Sequence, residues 1–104
     1  MTYRLRYHPS VADDLTNISE LIEEYAGPHI ARRKLAEIAE VAQSLRTLPH
    51  IGTLRDHILP GLRAIPAARR AVIAFTVDDE AREVYVLAIT YGGADWITRA
   101  GRRS

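Results

Sequence analysis

The sequence predicts an α+β domain in which an antiparallel sheet packs on one face against a helical hairpin. Three observations lead to this fold class. A short alternating segment opens the chain, two amphipathic stretches meet at a Gly-Pro pair, and three stretches rich in branched and aromatic residues fill the second half. The predicted order is β-α-α-β-β-β. With 104 residues, 47% of them hydrophobic, the chain is expected to form one domain spanning residues 1–104.

The first predicted strand covers residues 3–8, where Tyr and Leu alternate with Arg and His. This period of two is typical of a strand with one buried face and one basic face. Pro9 and Ser10 interrupt the alternation, and Ser10 followed by Asp13 has the form of a capping box. We therefore expect a helix to begin directly after Ser10.

The first predicted helix carries an apolar stripe with steps of three and four residues, formed by Val11, Leu15, Ile18, Ile22 and Tyr25. Its acidic residues are expected to lie on the solvent-facing side: Asp13, Asp14, Glu20, Glu23 and Glu24. Gly27 is expected to end this helix, and Pro28 to occupy the first turn of the next one.

The second predicted helix has a matching apolar stripe, formed by Ala31, Leu35, Ile38, Ala42, Leu45 and Leu48. Its small alanines would let the two helices approach closely as an antiparallel hairpin. Neither helix can bury its stripe alone. Both are therefore expected to pack on one face of the sheet, which leaves the other face partly open.

The second half of the chain is expected to form a meander of three strands. Residues 49–60 are predicted to be irregular, and they form either a functional loop or, as favoured here, a crossing over one end of the sheet. Strands are predicted over residues 62–65, 71–77 and 84–91, with a turn at 66–68 and a polar hairpin connection at 78–82.

Composition excludes several classes of protein. The net charge of +1 is too small for a nonspecific nucleic-acid binder, although residues 53–104 hold eight Lys and Arg against six Asp and Glu. Without cysteine there is no thiolate chemistry, and the expected location is the reducing cytoplasm. No segment has the pattern of a signal peptide or the length of a membrane span. The histidines are not spaced as metal ligands, so neither a metal nor a cofactor is expected: His8, His29, His50 and His57.

Several short segments match, in order and spacing, those of a known family. In the first half they are residues 3–5, which precede a helix with Ala12, Asp14, Leu15 and Ile18, and then Pro49 with Gly52. In the second half they are Arg63, Arg70 before residues 72–75, Asp78 with Asp79, and residues 86–89, which lead to Tyr91 and Gly92. On these segments the chain resembles the RelE/ParE superfamily of bacterial toxins from type II toxin–antitoxin modules, often labelled plasmid-stabilisation proteins. The resemblance covers nearly the whole chain.

The resemblance implies a toxin that arrests growth and is neutralised by a cognate antitoxin, usually encoded beside it, in a toxin–antitoxin hetero-oligomer. RelE-like members of the superfamily are ribosome-dependent mRNA endonucleases. ParE-like members bind and inhibit DNA gyrase. The branch has to be argued from the chemistry of the residues.

Cleavage of RNA through a ribose 2′-hydroxyl requires a base, a cation for the charged intermediate and an acid for the leaving oxygen. Arg63 and Arg70 match two basic positions of cleaving relatives and, with Tyr91, would carry that chemistry. After the last predicted strand, where those relatives place a cation and an aromatic acid or base, this chain has a Gly-Gly pair and Trp96. The indole cannot exchange a proton near neutral pH, and Tyr91, with an ordinary pKa of about 10, would need a strongly cationic pocket.

The sequence therefore favours a toxin that acts by binding, with an enzyme as the less favoured interpretation. The candidate residues for binding the target or the antitoxin are Arg63, Arg69, Arg70, Tyr91, Asp95, Trp96 and Arg99. Structural roles stay open for some of them, since Arg63 and Arg70 could keep a strand edge soluble and Trp96 could pack in the core. The arginines at 99, 102 and 103 form either a cationic end for an acidic partner or a frayed terminus. Two alternatives to gyrase inhibition remain: the RelE-like endonuclease, and a non-toxic binding or autorepressor module.

Overall fold

The computed structural model describes residues 2–104, so Met1 lies outside the described part of the chain. Within this part the chain forms three helices and five strands, in the order β1 Arg4–Tyr7, α1 Val11–Ala26, α2 Pro28–Ser44, β2 Thr53–Leu54, β3 Arg63–Ala67, β4 Ala71–Asp78, β5 Glu83–Tyr91 and α3 Trp96–Arg103. The predicted α+β class and helical hairpin are confirmed. The elements β2 and α3 add to the predicted order. No helix within residues 2–104 is long and apolar enough to cross a membrane.

The five strands form one sheet in the order β1-β5-β4-β3-β2. Three neighbouring pairs are antiparallel, which confirms the predicted meander, whereas β1 joins β5 in parallel, a direction that was not predicted. The helical hairpin explains this direction, because it returns the chain to the end where β1 begins. There the Tyr3 N–H donates to the Arg46 carbonyl at 2.7 Å. Since β3 starts from the same end, β5 runs in the same direction as β1 after two reversals.

An apolar layer lies on each face of the sheet. The larger layer, between the sheet and the α1–α2 hairpin, includes Ile22, Ile38, Ile73, Phe75, Val86 and Ile89. The smaller layer, under α3, includes Leu62, Ala74, Leu87, Ala88 and Ala100. A bulge in β5 allows this arrangement, because pairing passes from Ala88 to Val86 and leaves Leu87 as an extra residue. The face expected to stay open is thus partly covered by α3.

The ends of the helices confirm one prediction and contradict two. Gly27, at φ +87°, ends α1 with its N–H donating to the Glu23 carbonyl at 3.0 Å, and Pro28 is the first residue of α2. The predicted capping box is wrong, because Ser10 is already helical at φ −76° and ψ −7° and makes no side-chain cap. Leu48 does not extend the apolar stripe, because α2 ends at Ser44 and Leu48 is 59% exposed.

The connections around β3 also differ from the prediction. Pro66 and Ala67 belong to β3, where they pair with β4, so the turn lies at residues 68–70 and not at 66–68. The segment predicted to be irregular contains β2, which pairs with the start of β3. Gly52 makes this approach possible, because a β-carbon there would lie 2.5 Å from the Ala64 carbonyl oxygen.

Candidate functional site

The candidate binding residues do not form one site. Arg63 is the first residue of β3, whereas Arg69 and Arg70 follow its last residue. The strand alone spans roughly 13 Å, so Arg63 is separated from the turn by at least about that distance. The catalytic set considered for an endonuclease is therefore divided between two ends of the sheet. We name these ends the Tyr91 end, residues 68–70 and 91–93, and the Asp79 end, formed by Tyr3, His50, Arg63 and Asp79.

At the Tyr91 end, Tyr91 is held by two neighbours. Its hydroxyl lies 3.0 Å from the Tyr25 hydroxyl of α1, and the Arg70 guanidinium lies 5.7 Å from its ring centroid. Burial, followed by the hydrogen bond with Tyr25, raises the pKa of Tyr91 above its ordinary value of 10.0. The phenol is therefore further from acting as a base at neutral pH than a free tyrosine.

The turn that carries the two arginines has a strained backbone. Ala68 and Arg69 adopt φ values of +49° and +69°, a left-handed conformation that costs a non-glycine residue roughly 1 kcal/mol. Arg69 is exposed and forms no hydrogen bond or ion pair with any other residue between 2 and 104. The turn thus holds Arg69 outward, next to the anchored Arg70.

At the Asp79 end, polar side chains form a small hydrogen-bonded cluster. Asp79 Oδ1 lies 2.7 Å from His50 Nε2 and accepts a hydrogen bond from the Tyr3 hydroxyl at 2.7 Å. The Tyr3 hydrogen bond lowers the pKa of Asp79, and the same bond raises the pKa of Tyr3. Arg63 donates to the His50 carbonyl at 3.2 Å, so it supports the loop that carries this histidine. No spacing of residues along the chain predicts this cluster.

A third arrangement joins α1 to α3 around the edge of β5. Asp14 was expected to face solvent, but only 3% of it is exposed. Arg103 donates to both carboxylate oxygens of Asp14, at 2.6 and 3.0 Å, and to the Leu87 carbonyl at 3.1 Å. The Ile89 N–H donates to the same carboxylate at 3.0 Å.

This edge of β5 extends past β1, which ends at Tyr7 opposite Val86. Asp14 and Arg103 satisfy the backbone groups there as a neighbouring strand would. The hydrogen bond to Asp14 raises the pKa of Arg103, and Arg99 adds a longer contact to the carboxylate at 3.6 Å. Arg99 and Arg103 thus stabilise the fold, and the frayed terminus considered from the sequence is wrong.

Asp95 begins α3 as its N-cap. Its carboxylate accepts from the Thr98 N–H at 3.1 Å and from the Thr98 hydroxyl at 2.6 Å. The hydrogen bonds from Thr98 lower the pKa of Asp95. The spacing of Asp95 and Thr98 was a usable sequence signal for this helix. Asp95 therefore has a structural role, whatever else it binds.

Trp96, the first residue of α3, packs against the smaller apolar layer, as do Ile58 and Leu59. The Arg55 guanidinium lies over its ring at 5.9 Å from the centroid. Two adjoining hollows, of about 140 and 420 Å³, lie on this face of the sheet and share Val72 and Trp96. We call them together the Trp96 hollow. Arg55 lines it and was not among the residues chosen from the sequence.

Metal-binding chemistry has no support in this geometry. Between residues 2 and 104, no three His, Asp or Glu side chains come close enough together to hold a metal ion.

Residues 5–96 match the family model described as the ParE toxin of the type II toxin–antitoxin system parDE. The chain belongs to the ParE toxin family. The superfamily resemblance noted in the sequence is thereby confirmed, and this ParE family member is a type II toxin of the RelE/ParE superfamily. A comparison with curated protein sequences gives no match.

Solved structures share the fold of this ParE family toxin. A chain of the chromosomal ParDE system from P. aeruginosa is similar with a TM-score of 0.73 and 24% identity, over 86% of this chain and 96% of that one. The RelBE2 toxin–antitoxin complex from Mycobacterium tuberculosis gives 0.63 and 20%, over 88% and 100%. A double mutant of the E. coli toxin RelE in the free state gives 0.66 and 16%, over 99% and 98%. At these identities the likeness shows the fold alone.

Proposed function

We propose that this toxin arrests growth by binding and inhibiting a cytoplasmic target, with DNA gyrase as the favoured target, and that a cognate antitoxin neutralises it. Membership of the ParE family supports the choice of gyrase over the ribosome. The ParDE and RelBE2 systems of the similar structures support an antitoxin partner. On this account the toxin acts by occupying its target and breaks no bond.

The observation that carries the proposal is the state of Tyr91. Its hydroxyl is bonded to Tyr25, its pKa is raised, and Arg63 lies at the other end of β3. A tyrosine base needs the opposite, a lowered pKa beside several cations. An exposed pair of arginines next to a held aromatic ring is, in contrast, typical of a binding surface.

The helical hairpin supports the antitoxin part of the proposal. Leu21 and Tyr25 lie one turn apart on α1 and are 44% and 57% exposed. An extended or helical antitoxin segment laid along α1 would bury these apolar groups. Toxin and antitoxin would then form a hetero-oligomer through this surface.

Two assays on the purified toxin test the proposal. In a gyrase supercoiling reaction we expect inhibition, and we expect Arg70→Ala to weaken it about tenfold, since it removes an exposed guanidinium at the Tyr91 end. Arg46→Ala is the matched control, because Arg46 is an exposed arginine near the opposite end of the sheet. In a translation extract we expect intact message. Cleavage of ribosome-bound message without inhibition of supercoiling would refute the proposal.

A second candidate, the ribosome-dependent mRNA endonuclease, is favoured by one observation, the His50–Asp79 pair beside Arg63. A histidine oriented by a carboxylate is a competent base for a 2′-hydroxyl. If this candidate were correct, His50→Gln would abolish cleavage of message in the translation extract. Normal growth on induction of the gene alone would instead indicate the non-toxic module.

A further inference from the structure

We propose that the Trp96 hollow binds an acidic segment of a protein partner. A carboxylate of the partner would pair with Arg55, and a neighbouring apolar side chain would rest on Val72 and Trp96. This inference rests on the proposed function, because it names the chemistry of one partner-binding surface on a toxin that acts by binding.

Arg55 is the first observation that points to a ligand. Its side chain is partly buried over Trp96, and the N–H groups of its guanidinium have no acceptor among residues 2–104. Its Nε is buried without a hydrogen-bond partner, whereas its two outer nitrogens are not among the buried unpartnered atoms. A buried N–H that has lost water and gained no acceptor is destabilising. The outer nitrogens are left for a partner carboxylate, which would supply a counter-charge and charge-assisted hydrogen bonds.

The lining of the hollow is the second observation. Beside Trp96 it presents mainly apolar or small groups, contributed by Ala64, Pro66, Val72, Gly93, Ala94 and Ile97. Ile97 is 43% exposed, although it lies at the start of a helix that packs on the sheet. Covering this floor with an apolar side chain is favourable by roughly 25 cal/mol per Å² of apolar surface buried. Recognition therefore combines one carboxylate with one or two apolar groups.

Nucleic acid fits the hollow less well. A phosphate backbone carries a charge at each nucleotide and is held by several cations along a groove. Arg55 is the cation among the residues lining the hollow, and the carboxylate of Asp95 lies on its rim. One ring contact of Trp96 is already made by Arg55, which leaves less indole for a base to stack on. The charge balance therefore favours an acidic protein segment.

The fluorescence of Trp96 provides the measurement, because the sequence contains one tryptophan. The probe is an acetylated peptide of alternating Glu and Leu, titrated into the full chain. We expect a saturable change in emission. Arg55→Gln should raise the dissociation constant of the peptide about tenfold. Arg46→Gln, the matched loss of an exposed arginine, should leave the constant within about twofold. A Gln and Leu peptide should bind as weakly to the native chain as the acidic peptide binds to Arg55→Gln.

Arg55→Lys keeps the positive charge but removes the planar guanidinium. Its dissociation constant for the acidic peptide should lie between those of the native chain and Arg55→Gln. Circular dichroism checks that each variant is folded. The proposal is overturned if folded Arg55→Gln binds the acidic peptide as tightly as the native chain. It is also overturned if single-stranded DNA binds the hollow more tightly than the peptide. Concentration-dependent self-association that Arg55→Gln abolishes would equally overturn it, since the occupant would then be a second copy of this chain.

The outcome separates this inference from the proposed function. If the toxin neither inhibits gyrase nor arrests growth, yet binds the acidic peptide through Arg55, the proposed function is refuted. The inference that the Trp96 hollow binds an acidic segment is then still supported. If the toxin inhibits gyrase in an Arg70-dependent way while Arg55→Gln binds the peptide normally, the inference about the hollow fails alone.

Discussion

The edge of β5 and the Tyr91 end use the same residue type in opposite ways. At the β5 edge, Arg103 is bonded to a buried carboxylate and to a backbone carbonyl. At the Tyr91 end, Arg69 projects from a strained turn, and its side chain forms no hydrogen bond or ion pair with any other residue between 2 and 104. Burial and bonded partners therefore decide which arginines hold the fold together and which are exposed to a second molecule.

The largest expected effect lies at the β5 edge. Asp14→Ala would leave Arg103 without its carboxylate and the Ile89 N–H without its acceptor. We expect the free energy of unfolding in urea to fall by about 3 kcal/mol, the scale observed when one partner of a buried pair is removed.

Glu24→Ala is the matched control, because it removes an exposed carboxylate from the same helix. Its effect should stay within about 0.5 kcal/mol. Equal losses in the two variants would contradict the structural role given to the Asp14–Arg103 pair.

At the Tyr91 end the expected changes in stability are smaller and of opposite sign. Ala68→Gly removes the strain of one left-handed residue and should raise the free energy of unfolding by at most about 0.5 kcal/mol, after the entropy of the added glycine is subtracted. Arg69→Gln should leave it within about 0.5 kcal/mol but reduce gyrase inhibition about tenfold. A destabilised Arg69→Gln with full inhibition would place Arg69 among the structural arginines.

The smallest expected effect concerns the pH dependence of α3. Hydrogen bonds from Thr98 lower the pKa of Asp95 below its ordinary 3.8. A lowered folded-state pKa contributes stability that is present above pH 3.8 and is lost as the pH falls through the folded value. In Trp96 emission, the native chain should therefore show an acid transition that is weaker in Asp95→Asn. Identical acid titrations would mean that the cap does not hold α3.

Much of the fold could be predicted because it depends on local patterns. The stripes of the two helices, the Gly27-Pro28 junction and the three later strands follow from periodicity and backbone restrictions in the sequence itself. The parallel pairing of β1 with β5 could not be predicted in this way, because it depends on where the helical hairpin returns the chain.

The candidate site was harder to predict for the same reason. Asp14 and Arg103 lie near opposite ends of the chain, and both are charged residues of a kind usually exposed to solvent. They meet only because the fold brings them together at the edge of β5. Arg63 and Arg70 look equivalent in the sequence, but the direction of β3 separates them. Arg55 stood in a segment expected to be irregular, and it gains importance only from Trp96 packing beneath it.

Whether this toxin acts by occupying its target can be measured with a Tyr91→Phe variant. The substitution removes one oxygen and keeps the ring under Arg70. The induced variant should arrest growth within about threefold of the native toxin while transcripts remain intact, whereas loss of a catalytic acid or base costs roughly a hundredfold or more. A folded Tyr91→Phe variant that loses growth arrest, beside a native toxin that cuts message on the ribosome, would contradict this prediction.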